Sequence, residues 1–129
     1  MTKSIEIQNY MTICPHSVGV DQPAKVAIEM MRNQGFRHLP VQSGGKLVGV
    51  VSERDIQFAL AYSESDDSTL KIDDIFTVEP YVVAPETSLK EVAQRMGQDK
   101  IGCALIVAGE KLVGIFTTTD ACRVLAETI

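Results

Sequence analysis

Tryptophan is missing from this 129-residue chain, and aromatic residues make up only 5% of it. Aliphatic side chains must therefore fill any core. Cysteine is scarce: Cys14, Cys103 and Cys122 are odd in number, irregularly spaced and form no CxxC. That pattern excludes a disulfide framework and a zinc site, and fits free thiols in a reducing compartment. Positive charge is also short, with 12 Lys+Arg against 17 Asp+Glu, a net charge of −5 and no basic cluster. Nucleic acid and anionic membrane surfaces both call for concentrated positive charge, so neither is an expected partner. No apolar run approaches the ~20 residues that span a bilayer. The opening MTKSIEIQNYM lacks the apolar stretch of a signal peptide. A cytoplasmic location is expected.

Catalytic signatures are missing too. There are two histidines, His16 and His38, and no HExxH, GxSxG, GxGxxG or P-loop. The acidic pairs Asp66-Asp67 and Asp73-Asp74 read as solvated surface, not metal ligands. The chain is not expected to be an enzyme or to require a cofactor.

What the chain does contain is one pattern written twice. GVVSERD at 49–55 and GIFTTTD at 114–120 lie 65 residues apart. The same offset superposes Ile7 on Ile72, Thr12 on Thr77, Pro15 on Pro80, Lys25 on Lys90 and Met31 on Met96. KLVG at 46–49 recurs intact at 111–114, and no gap is needed from residue 7 onward. A constant offset identifies an internal duplication, which fixes the architecture before any single element is considered.

Each copy reads as strand, helix, strand, strand, helix, an α/β (α+β) class with two β-α-β-β-α repeats. The first strands are SVGV at 17–20 and VVAP at 82–85. Ala24, Ala27, Ile28 and Met31, matched by Leu89, Val92, Ala93 and Met96, have the spacing of a buried helical face. Ser88 and Glu91 have capping-box spacing, and Gly35 suits a left-handed helix end. HLPVQ with KLVGVVS, and CALIV with KLVGIFT, are hairpins around Gly44-Gly45 and Gly109. The last helices carry Ile56, Ala59 and Leu60, and Ala121, Val124 and Leu125, as apolar stripes. The repeats are expected at 1–61 and 72–129, with polar residues 62–71 as the linker.

The S/T-x-x-D motif has two readings at this level. Ser52 and Thr117 would be helix N-caps, with Asp55 and Asp120 at the third helical position, where a carboxylate favours the helix dipole. The same helix start exposes N–H groups suited to a polar ligand, and its carboxylate suits a ribose diol. Spacing alone leaves both open.

The order MT…P…V, a helix closing on Met31 or Met96, then FRHLPV and GVVSERD, resembles the cystathionine-β-synthase (CBS) domain. Two copies over about residues 5–129 resemble a Bateman module. The resemblance implies pseudo-twofold repeats packed sheet to sheet, with clefts for AMP, ADP, ATP or S-adenosylmethionine as regulatory ligand. It implies ribose contact at Asp55 and Asp120 with Ser52 and Thr117, and base-side lining by Thr12, Ile13, Thr77 and Val78. It also implies a homodimer and signalling through shape or a protein partner. FRHLPV resembles a phosphate-facing strand of the family, which makes Arg37 and His38 the phosphate candidates. An arginine fork fits phosphate oxygens. The second copy has Gly102-Cys103 there and offers no cation, so the two sites should differ. The alternative is a ligand-independent dimerisation module whose clefts are vestigial.

Overall fold

The computed structural model describes residues 5–13, 16–64, 66–78 and 80–129, with Val78 described in its backbone only. Cys14 lies outside the described residues. In chain order the strands are β1 (Thr12–Ile13), β2 (Val18–Gly19), β3 (His38–Ser43), β4 (Lys46–Ser52), β5 (Thr77–Val78), β6 (Val82–Val83), β7 (Cys103–Ala108) and β8 (Lys111–Thr117). The helices are α1 (Ala24–Gln34), α2 (Glu53–Tyr62), α3 (Leu89–Asp99) and α4 (Thr118–Thr128). Short 3-10 turns at Ile7–Asn9 and Ile72–Asp74 precede β1 and β5. The described residues thus form a mixed α/β fold with two four-stranded sheets and four helices.

Two compact units share these elements. One is contiguous, His16–Pro80; the other is split, Met1–Pro15 with Tyr81–Ile129. In the contiguous unit the sheet order is β2-β3-β4-β5. Strand β2 runs parallel to β3, and the β3–β4 hairpin and the β4–β5 pair are antiparallel. Helix α1 makes the β2-to-β3 crossover and buries Ala24, Ala27 and Met31. Gly35, at φ 75°, ends it by donating its N–H to the Met31 carbonyl. Central strand β3 has neighbours on both sides, and its Leu39, Pro40 and Val41 are buried in succession. Val18, Leu39, Val51, Ile56 and Ile72 meet in the core, where each large aliphatic side chain contributes about 1.5–3 kcal/mol by burial.

The split unit repeats this plan in the order β1-β8-β7-β6. Its core gathers Ile7, Val92, Met96, Ala104, Ile106 and Phe116. Ser88 Oγ accepts the Glu91 N–H at 3.1 Å to open α3. Lys100 closes α3 at φ 57°, the left-handed position that glycine fills in α1. Both hairpins shift register at the same place, after Val41 and after Ile106.

Two side chains expected on buried faces are exposed. Ala93 lies outside the Val92–Met96 stripe, and Leu125 is 59% exposed. Each follows a facing residue by one position, a rotation of about 100° around the helix that carries it off the stripe. Within 62–71, Tyr62 belongs to α2, while Leu70 is buried and its carbonyl accepts the Ala24 N–H at 2.7 Å. The Asp66 carboxylate accepts from Ser68 and Thr69, and those bonds hold its pKa below the usual value.

The two-residue strands β1 and β5 carry the topology. Thr12 and Ile13 pair with Ile115 and Gly114 of β8, and Thr77 and Val78 pair with Val50 and Gly49 of β4. Each repeat therefore sends its first strand to the sheet built by the other repeat. The motif glycines make this possible. A Cβ on Gly49 would collide with the Thr77 carbonyl oxygen and the Phe76 ring, and one on Gly114 with the Met11 side chain. At Gly49 the close approach of backbone requires glycine.

Candidate functional site

Each site is a junction where a strand ends and a helix starts. Ser52 ends β4 in extended backbone (φ −107°) and its Oγ accepts the Asp55 N–H at 3.0 Å. Asp55 Oδ2 accepts the Ser52 N–H in return, at 3.2 Å. Thr117 and Asp120 form the same reciprocal capping box at the start of α4. Such a cap is worth about 1 kcal/mol, so the structural role of the S/T-x-x-D set is real in both copies.

Sheet register brings Arg37 and His38 to the first junction. His38 lies opposite Ser52 across the β3–β4 pair, and the Arg37 carbonyl accepts the Glu53 N–H at 2.9 Å. Arg37 is exposed and His38 is half-buried. Burial pushes the His38 pKa below its ordinary 6.5; Asp55 pulls it back up, and Arg37 adds to the lowering. In the split unit Cys103 faces Thr117, and the Gly102 carbonyl accepts the Thr118 N–H. The backbone is the same, but Gly102 and Cys103 bring no cation from that strand.

The carboxylates differ more than the motif foretells. Asp120 is 4% exposed. Its Oδ1 accepts Thr12 Oγ1 at 3.0 Å and pairs with Arg123 Nη2 at 3.0 Å. Its Oδ2 accepts the Thr117 N–H at 2.9 Å and Thr117 Oγ1 at 3.2 Å. Asp55 is half-buried, and its Oδ1 has no hydrogen-bond partner among the described residues. Thr77, the repeat counterpart of Thr12, is exposed and makes no bond to Asp55 among the described residues.

Of the candidate residues, the structure gathers Arg37, His38, Ser52 and Asp55 at one junction and Thr12, Thr117 and Asp120 at the other. Ile13 is 74% exposed at the β1 edge. The side chain of Val78 lies outside the described residues. Arg123 is a residue of this junction that stands outside the sequence candidates. The D-x-x-R spacing at 120–123 was its available signal, since i,i+3 positions are neighbours on a helix. Among the described residues no group of three His, Cys, Asp or Glu is placed to hold a metal. No helix among them is long and apolar enough to cross a membrane.

Comparison with known proteins agrees with the repeat. The family model for the CBS domain matches residues 6–62 and 72–127. A Vibrio cholerae protein named for acetoin utilization (AcuB) has a similar structure, with TM-score 0.85 and 31% identity, covering 98% of this chain and 93% of that one. The structure of CBSX2 in complex with AMP superposes with TM-score 0.81 at 25% identity, covering 95% and 97%. The inosine-5'-monophosphate dehydrogenase of Korarchaeum cryptofilum is 32% identical over 92% of this chain, which covers 23% of the dehydrogenase. The chain spans less than half the length of the first curated relatives it matches.

Proposed function

This chain belongs to the CBS domain family, as a tandem pair of its domains, and from that premise we propose that it is a regulatory module that binds an adenosine nucleotide. The observation that carries this is the convergence of Arg37, His38, Ser52 and Asp55 at one helix start, with a carboxylate oxygen that has no hydrogen-bond partner among the described residues. The open Asp55 oxygen would accept from a ribose diol. Ser52 supplies a hydroxyl beside it, and Arg37 with His38 would meet the phosphate. The AMP found with CBSX2 supports this ligand class over other anions. Thr77 and Val78 enter this unit through β5 and are assigned to the base side. Occupancy would be reported to a protein partner through a change of shape or affinity, in a soluble cytoplasmic setting.

Calorimetric titration of the chain with AMP and with adenosine tests the reading. Both should bind. Asp55→Asn should abolish both, whereas Arg37→Ala should weaken AMP at least tenfold and leave adenosine nearly unchanged. Silence toward millimolar AMP, ADP, ATP and S-adenosylmethionine would sink the proposal.

A second reading has its own observation. Phe58 (65% exposed) and Tyr62 (80% exposed) stack on α2 with ring centroids 4.6 Å apart, and Leu125 is exposed on α4. Bare apolar helix residues favour a homodimer, formed with or without ligand. Sedimentation of Phe58→Glu against the parent chain decides it: dimer in the parent and monomer in the variant is the expected pair.

A further inference from the structure

We infer that the two S/T-x-x-D motifs have divided their labour: Asp120 is a clasp, closed by Thr12 and Arg123, and the chain takes one adenosine-class ligand, at Asp55. An ionised carboxylate has about four acceptor positions. At Asp120 three hydrogen-bond donors, Thr12 Oγ1, the Thr117 N–H and Thr117 Oγ1, are in place, and the Arg123 guanidinium pairs with Oδ1 at 3.0 Å. The group is also 4% exposed. A ribose diol needs two free acceptor directions open to solvent, and Asp120, buried with both oxygens engaged, does not offer them. At Asp55 one donor, the Ser52 N–H, is present among the described residues, so the diol has acceptors to use.

The residues that close the clasp reach beyond it. Thr12 sits on β1, and Arg123 Nη2 also donates to the Tyr10 carbonyl at 3.5 Å. Asp120 thereby fastens residues 10–12 to the start of α4, across 108 positions of sequence. The repeat offset identifies the cause of the asymmetry. Arg123 corresponds to Phe58, an exposed ring that cannot pair with Asp55. Thr12 corresponds to Thr77, which is exposed. One arginine-for-phenylalanine difference separates a closed carboxylate from an open one. Thr12 and Arg123 are thus the specificity-determining residues that exclude ligand from the second motif.

The inference rests on the nucleotide-binding reading for its ligand and stands apart from it in its clasp. Calorimetry with AMP should give one site per chain, with all binding lost in Asp55→Asn and retained in Asp120→Asn. Two sites per chain, or loss of half the sites in Asp120→Asn, would overturn it. Ligand-free denaturation tests the clasp even if AMP gives no heat. Asp120→Asn should lower the midpoint clearly more than Asp55→Asn; equal shifts would overturn it. Should Asp120→Asn fail to fold, the milder pair Thr12→Val/Arg123→Ala serves. Hydrogen exchange at residues 10–13 should speed at least tenfold in that variant, and unchanged protection there refutes the clasp.

Discussion

Residues 49–55 and 114–120 share one backbone plan. Each begins with a glycine under a crossing strand and ends in a reciprocal capping box. Each takes the carbonyl of the residue just before the central strand as acceptor for the first helical N–H. They part company at the side chains outside the motif. One junction has Arg37 and His38 beside it and a carboxylate oxygen with no hydrogen-bond partner among the described residues; the other has Gly102 and Cys103 beside it and a buried carboxylate engaged on both oxygens. Duplication preserved what the fold needs, the cap and the close approach. The neighbours, which the fold does not constrain, diverged.

The glycines offer the hardest test of that equivalence. Gly49→Ala drives a methyl into backbone and a ring, neither of which yields, and should cost about 3 kcal/mol by overpacking. Gly114→Ala meets chiefly the flexible Met11 side chain and should cost about 1 kcal/mol. Urea midpoints of the two variants measure the gap, and equal losses would show that β1 and β5 press on their glycines alike.

The helix ends come next in size. Lys100→Gly relieves a side chain held at φ 57°, and should stabilise by about 1 kcal/mol. Gly35→Ala, at φ 75°, should destabilise by a similar amount. Thermal melts with opposite shifts are the expected result; a shift of the same sign in both would refute the pairing of these two caps.

The smallest effect is a pH dependence confined to the first junction. The folded chain holds His38 below its ordinary pKa of 6.5, so the unfolded chain binds that proton first. Stability should therefore fall as pH drops through 6.5 toward the lower folded value, then level off. His38→Gln should flatten that window, while Cys103→Ser, at the matching position, should leave its slope in place. An unchanged slope in His38→Gln would remove the histidine from the explanation.

The repeat, the helices and the hairpins were legible because each advertises itself locally. Gly35 ends α1, Ser52 and Thr117 cap their helices, and Ile56 or Val92 mark buried faces at helical spacing. The destinations of Thr12 and Thr77 were not legible. A two-residue strand has no periodicity, and the partner of β1 lies over a hundred residues away. The junction at Asp55 was readable from the nearness of FRHLPV to SERD in the hairpin. The closure of Asp120 was not, because its Oδ1 is held by Thr12 and Arg123, and Thr12 is distant in sequence.

The nesting of one unit inside the other also sets a timetable for synthesis. Residues 16–80 hold a whole sheet, so that unit can close once its own stretch has left the ribosome. Strand β1 emerges earlier but must wait for β8 and α4. With 108 residues between Thr12 and Asp120, and elongation at about 5–20 residues/s, the wait is roughly 5–20 s. For that interval β1 is made but lacks the strand it pairs with.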